Sequence, residues 1–303
     1  MQITHDEIEA HRPDVLLPPD PEFAEDYAAA VKYGREVAAE ATVALVAICR
    51  NAGPFLPQTL RLVEETGSIF REWSAFIYEN DSVDNTKDIL QSWSDGRQRC
   101  VSLNDNGRPH LNHTTEPVRT HALAEYRAAC QTWVRQGNPP SFVIVFDSDA
   151  WGGWSVDGVA TSIAHMTWDD SWYALASYSW CEMMVGDKPF AAHYDAFAGR
   201  LGHFKRRDQQ WFHHWRPAIG SPPVEFKSAF GQLCVYRALR YLQGTYSGED
   251  CEHGTFARSI EEAAASEDGD YYDGPKYTRL GLNPSSRCVS FWVPEHGRQH
   301  LDH

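Results

Sequence analysis

The chain has 303 residues, with 42 acidic against 27 basic side chains, a formal charge of −15, and 42% apolar and 13% aromatic residues. It is long enough to bury a large core and too apolar to be disordered, and its acidity argues against non-specific binding to nucleic acid or anionic lipid. The seven cysteines lack C-x-x-C spacing and several sit in apolar runs; no amino-terminal apolar segment or 18-residue apolar stretch appears, so no membrane span is expected and a reducing, cytoplasmic setting is.

Residues 1–21, punctuated by Pro13, Pro18, Pro19 and Pro21, read as a surface arm. The Ala-, Glu- and Lys-rich run to Ala41 reads as a helix that Asp20 can cap. This arm and helix (1–40) precede one domain over 41–303. Residues 42–49 (TVALVAIC) are apolar too continuously for a one-sided strand and predict a central parallel strand. A turn at 50–53 leads to a helix over 56–65, a strand over 74–78, a polar loop and a helix over 84–93 with Ser82 or Asp84 as cap. A short strand near 100–103 and a polar loop over 104–116 follow. The run 117–136 carries Val118, Leu123, Tyr126, Cys130 and Trp133 at roughly helical spacing. Residues 142–146 (FVIVF) then read as a buried strand.

This alternation predicts an α/β fold, a Rossmann-type open sheet with helices on both faces. Ligands bind such sheets beyond the carboxyl ends of the strands, which is where the loops at 50–53, 79–84 and 147–153 fall. Beyond 155 the pattern weakens. It reads as a helix over 156–166, a strand over 172–178, an aromatic and basic stretch over 187–216, strand–bend–strand over 227–236, a helix over 250–265, an exposed loop over 266–275 and a last strand over 288–293. The expected division is a nucleotide-binding half, 41–153, and an acceptor-binding half, 154–303.

The buried strand runs directly into Asp147-Ser148-Asp149. Residues i and i+2 of an extended chain point the same way, so the two carboxylates can converge on one cation. Hard oxygen ligands suit Mg²⁺ or Mn²⁺ shared with a phosphate-bearing substrate. A solvated turn is the plain alternative. Trp151-Gly152-Gly153-Trp154 downstream describes a loosened, aromatic-lined loop able to receive a sugar nucleotide.

At these residues the chain resembles the GT-A glycosyltransferases over about 41–300. Residues 46–51 (VAICRN) are similar to the family's first strand and the turn beside the nucleoside. The stretch 78–86 (YENDSVDNT) resembles its acidic loop, in the ENDSxD form of fungal capsule-type mannosyltransferases, with Glu79-Asn80 standing where the family carries two aspartates. Asp147-Ser148-Asp149 fits the D-x-D metal motif, and Gly248-Glu249-Asp250 is similar to the segment that opens the helix bearing the base of inverting members. The resemblance implies a UDP- or GDP-linked nucleotide-sugar donor, Mn²⁺ or Mg²⁺ on Asp147 and Asp149, and a glycan, protein or small-molecule acceptor.

It implies donor contacts from Arg50, Glu79, Asp81, Arg127, Asp147 and Ser148, although Glu79 and Asp81 could equally cap the next helix. Arg119 and Arg127, eight apart, share a helix face and can aim a guanidinium at a diphosphate. Asp250, with Glu252 as substitute, is the expected base for an inverting transfer, or else a helix cap favoured by the helix dipole; a retaining transfer needs neither. His296 or His253 would complete the metal site. Trp151, Trp154, Tyr194, Asp195 and Arg200 are acceptor-side candidates. Two other readings compete. A nucleotidyltransferase also pairs carboxylates on metal, but carries a glycine-rich basic loop that 50–54 does not provide. A non-catalytic carbohydrate-binding protein on the same fold is opposed by the intact Asp147, Asp149 and Asp250.

Overall fold

The computed structural model describes residues 3–111, 114, 116–195, 197–202, 210–266 and 277–294. The arm holds two short helices, α1 (His5–Ala10), closed by a Thr4/Glu7 capping box, and α2 (Pro13–Leu16), and a turn of 3₁₀ helix at Pro21–Phe23 leads into α3 (Ala24–Ala38). Then β1 (Thr42–Cys49), α4 (Leu56–Ser68), β2 (Glu72–Asn80), α5 (Thr86–Trp93), β3 (Arg99–Asn104), α6 (Pro117–Gln136) and β4 (Phe142–Asp147) alternate as expected. The second half adds β5 (Gly153–Trp154), α7 (Val156–Trp168), β6 (Trp172–Val185), β7 (Lys188–His193), α8 (Gln210–His214), β8 (Val224–Phe226), β9 (Leu233–Arg237), α9 (Ala238–Gln243), α10 (Glu252–Ala265) and β10 (Arg279–Val289).

These strands form one sheet in the order β3-β2-β1-β4-β9-β6-β10-β5, with β7 beside β6 and β8 beside β10. β3, β2, β1 and β4 are mutually parallel. β9 runs antiparallel to both β4 and β6, and β10 lies parallel to β6. Alternate residues of the central strands serve opposite layers. Ala44, Val46, Val143 and Val145 pack with Cys130 and Val134 of α6 on one face. Val43, Leu45, Ile144 and Phe146 pack with Leu60 and Val63 of α4 and with Val159 and Ile163 of α7 on the other. Covered twice, these strands must be apolar throughout, which is what made them readable. No described helix is long and apolar enough to cross a membrane.

The second half departs from expectation. β6 extends to Val185, and β7 and β8 carry no clear alternation. β10 begins nine residues earlier than the strand expected at 288–293, because its centre, Asn283-Pro284-Ser285-Ser286-Arg287, is polar yet buried around a register shift. Its polar groups are paired internally: Asn283 donates to Thr161 and Ser162, and Ser286 bonds Ser177 at 2.6 Å. The arm lies largely on the surface and is tied to this strand. Arg287, 1% exposed, donates to Asp14 Oδ1 (2.6 Å), Tyr27 Oη (2.6 Å), Ser155 Oγ (2.9 Å) and the Leu17 carbonyl. His11 stacks on Trp292 with ring centroids 4.1 Å apart.

α3 and α7 pack closely because Gly34 leaves no side chain between them; a Cβ there would lie 1.8 Å from the Ala160 carbonyl oxygen. Alanine would ordinarily gain about 1 kcal/mol over glycine inside a helix. Gly34→Ala is expected instead to lose about 1–3 kcal/mol of stability, the usual cost of overpacking, as read from the urea midpoint; a gain would show that the helices can part without cost.

Candidate active site

The ends of β1 and β2 are locked together before any ligand is considered. Asn51 and Asp81 take left-handed backbone angles (φ 50° and 53°), which asparagine and aspartate tolerate better than most residues. The backbone N–H groups of Asn51, Ala52 and Gly53 donate to Ser82 Oγ (2.9 Å), Thr86 Oγ1 (2.9 Å) and Asp84 Oδ2 (3.1 Å). Asn51 Oδ1 accepts from the Val83 N–H, and Glu79 Oε1 from the Ser82 N–H at 2.8 Å. Thus Glu79, fully buried, supports its own loop. Asp81 Oδ1 accepts from the Gly107 N–H at 2.7 Å. Neither Glu79 nor Asp81 is on the wall of the main cleft; Asn80, between them, is.

That cleft encloses about 480 Å³ at the carboxyl ends of β1, β2 and β4. Arg50, Arg108, Arg119 and Tyr126 line one side, Asp147 and Ser148 the floor, and Asp149, exposed, the rim. Tyr194, Asp195, Phe230, Gln232, Glu252 and His253 line the other side. Arg50 is held by the carbonyls of Arg108 (2.9 Å) and Pro109 (3.2 Å). Ser148 turns its hydroxyl onto the Ile48 carbonyl (3.1 Å), clamping β4 to β1.

Arg127, 4% exposed, reaches from α6 to the floor. Its Nη2 donates to Asp147 Oδ1 at 2.8 Å, its Nε stands 3.6 Å from Glu252 Oε1, and its guanidinium lies 4.8 Å from the Phe230 ring centroid. Burial raises the Asp147 carboxyl above the usual range and Arg127 opposes the shift. Asp149, exposed at the rim, is pushed up to about 6 by desolvation and then by the charge of Asp147. His253 lies against Phe230 (3.7 Å between centroids), with Nε2 3.4 Å from Glu252 Oε1 and no hydrogen bond at either ring nitrogen among the described residues. Burial, then Arg127, holds it neutral.

Several expected site residues lie elsewhere. Asp250 precedes α10 by two residues and is clamped by Arg200 through two bonds (2.7 and 3.0 Å) beside a separate small hollow, so it does not line the main cleft. Gly248 before it has a packing reason, since a Cβ would lie 2.2 Å from His121 Cα on α6. Trp154 is core: its Nε1 donates to Thr66 Oγ1 and its ring tilts against Phe146. Trp151 packs against Phe55 and Trp292, outside the cleft wall. Tyr194 and Asp195 do line it. His296 lies outside the described residues.

Gln232 was not singled out from the sequence. It is a non-glycine residue at φ 64°, its carbonyl accepts the Asp147 N–H at 2.8 Å, and its Oε1 accepts from Ser179 Oγ at 3.2 Å. The preceding glycine was the available signal, because a Cβ on Gly231 would stand 1.8 Å from the Ser177 carbonyl oxygen.

Among the described residues no group of three or more His, Cys, Asp or Glu side chains converges as a metal site. Asp147 and Asp149 still fit a hard divalent ion, because two carboxylates, both hard oxygen donors, line the same cleft two residues apart.

No family model and no curated protein matches the chain. Among solved structures, GalNAc-T7 with UDP, GalNAc and Mn²⁺ superposes with a TM-score of 0.52 at 12% identity, over 93% of this chain and 54% of that one. The mannosyltransferase PcManGT from Pyrobaculum calidifontis, in complex with GDP-Man and Mn²⁺, matches at 0.44 and 13% identity, over 92% and 69%. S. aureus TarS 1-349 with UDP-GlcNAc matches at 0.47 and 11% identity, over 82% and 58%. The chain thus spans about half of the GalNAc-T7 chain. The first likeness establishes the fold as GT-A-like, a single sheet flanked by helices.

Arg127→Met is expected to cost about 3–5 kcal/mol at pH 8, as removing one partner of a buried ion pair does. The deficit should shrink at pH 5. Asp147, raised already by burial and now without its cation, takes up a proton there, so the strain of its charge is present at high pH and relieved as pH falls. Urea unfolding at both pH values checks this; an equal deficit would mean that Arg127 acts through packing on Phe230 instead.

Proposed function

We propose that the protein is a metal-dependent glycosyltransferase that moves a sugar from a nucleotide-sugar donor to an acceptor hydroxyl. The observation that carries the reading is the pair Asp147 and Asp149 at the carboxyl end of β4, lining a cleft that also holds Arg119 and Arg127. Paired carboxylates with arginines at a parallel-sheet edge suit a diphosphate bridged by a cation. The GT-A-like fold supports the class, and so does the UDP, GalNAc and Mn²⁺ held by the superposable GalNAc-T7.

In this reading Asp147 and Asp149 would hold Mn²⁺ or Mg²⁺, with His253 or His296 adding a ligand, and the bound ion would supply charge neutralisation for the leaving diphosphate. Arg119, in the first turn of α6, adds a cation to the helix's positive end. Arg50 and Asn80 flank the position of the nucleoside. Arg127 opposes the rise that burial imposes on the Asp147 carboxyl and fixes its direction, leaving Asp149 to the ligand. The 78–86 loop, similar to that of capsule-type mannosyltransferases, favours a hexosyl donor linked to GDP or UDP. Tyr194 and Asp195 face the acceptor, and the transfer inverts the anomeric centre.

Melting curves with UDP or GDP, each with and without Mn²⁺, test the reading. One nucleotide is expected to raise the melting temperature only with Mn²⁺, by the equivalent of about 2.7 kcal/mol at a hundredfold excess over Kd. Asp149→Ala should abolish that rise while melting like the parent without ligand, since the side chain sits exposed at the rim. An unchanged Mn²⁺-dependent rise in the variant would refute the metal assignment.

A further inference from the structure

Once the proposed glycosyl transfer is accepted, the cleft still lacks an evident proton acceptor. Asp147 and Asp149 are assigned to the cation. Glu252, 4% exposed, is turned to Arg127 and His253. Asp250 is clamped by Arg200 away from the cleft wall. The other carboxylate on that wall among the described residues is Asp195, just after β7 and partly open to the cleft.

Its surroundings are built with care for one direction. Oδ2 accepts the backbone N–H groups of Phe230 (2.9 Å) and Gly231 (2.6 Å), and the Ala198 N–H also bonds the carboxylate. A carboxylate has about four lone-pair sites, so three backbone donors leave room for one more, from the cleft. The donors themselves are rigid. Gly231 sits against Ser177 in a left-handed conformation, and Phe230 is held between Arg127 and His253.

We propose that Asp195, and neither Asp250 nor Glu252, is the catalytic base of the transfer; this rests on the glycosyltransferase reading above. As the acceptor oxygen forms its bond to the anomeric carbon, the bond from that carbon to the diphosphate oxygen breaks. The electron pair leaves with the nucleoside diphosphate, and the hydroxyl proton passes to Asp195.

The carboxylate is suited to this. Burial lifts it to about 7 against the pull of the backbone donors, with the charge of Asp147 on β4 adding to the rise. Tyr194 beside it, Arg200, Cys234 on β9, Cys251 before α10 and Cys288 on β10 are the other titratable groups that feel its charge. A base of this strength accepts a proton near neutrality, the range in which general bases work best. Since the active form is ionised, turnover is expected to fall as pH drops below about 7.

The test uses Mn²⁺ and a panel of UDP-glucose, UDP-N-acetylglucosamine and GDP-mannose, with water as acceptor. Hydrolysis is followed from pH 5.5 to 8.5 in the parent, Asp195→Asn, Asp195→Glu and Asp250→Asn. Asparagine can still accept the Phe230 and Gly231 N–H groups, so Asp195→Asn should keep the nucleotide- and Mn²⁺-induced rise in melting temperature. Its turnover should fall by about two to four orders of magnitude, the usual contribution of a general base, and the acid limb near pH 7 should vanish. Asp195→Glu should recover part of the rate together with an acid limb. Turnover in Asp195→Asn within a few-fold of the parent, or a loss confined to Asp250→Asn, overturns the proposal. A parent that responds to no nucleotide overturns the glycosyltransferase reading itself, which is a separate and recognisable failure.

Discussion

Arg127 is a cation enclosed by protein, and enclosing it costs free energy unless carboxylates stand close on more than one side. Asp147 supplies one and Glu252 stands 3.6 Å away as the other. This requirement ties three elements distant in sequence: α6, which carries the arginine, β4, which ends in Asp147, and α10, which begins at Glu252. It also determines how Asp147 and Asp149 differ. Asp147 is oriented by its partner, whereas Asp149, two residues on, stands exposed at the rim. A pair of chemically identical groups thereby becomes one fixed and one available.

The reversal of strand direction in mid-sheet explains why the far wall of the cleft reaches this spot. β9 runs antiparallel to β4, pairing Leu233 with Phe146, so the turn before β9 lies at the end of β4. The Asp147 N–H donates to the Gln232 carbonyl across that junction. β6 and its partner β7 bring His193 and then Tyr194 to the same edge, with the Tyr194 N–H on the Ser179 carbonyl. Asp195 then grips the 230–231 turn. A wholly parallel sheet would have sent that turn to the opposite edge.

Legibility followed burial geometry. β1 and β4 were readable because two covered faces demand unbroken apolar sequence, and the Asp147-Ser148-Asp149 segment because carboxylates at the end of such a strand are conspicuous. β10 was only partly readable, since its interior is polar and is satisfied by Thr161, Ser162 and Ser177 on other elements. The surroundings of Asp250 and Asp195 show the same limit. Nothing near Asp250 in the chain announces Arg200, fifty residues earlier, and nothing near Asp195 announces the amides of Phe230 and Gly231. Local patterns encode which face of an element is buried; they do not encode which distant donor a carboxylate will meet. Trp154 illustrates the converse, as its sequence context suited a sugar-stacking loop and its actual partners are Thr66 and Phe146.

The bond between Arg287 and Asp14 joins residues 273 positions apart. During synthesis the arm emerges long before β10, and it has no strand to dock on until that strand has been made. Its apolar contacts, Ile8, Leu16 and Leu17 among them, stay without their native cover through that interval. Contacts of such long range are formed late and slowly. The arm is therefore among the last elements to reach its native place, and it acts as a latch that closes only on a finished sheet.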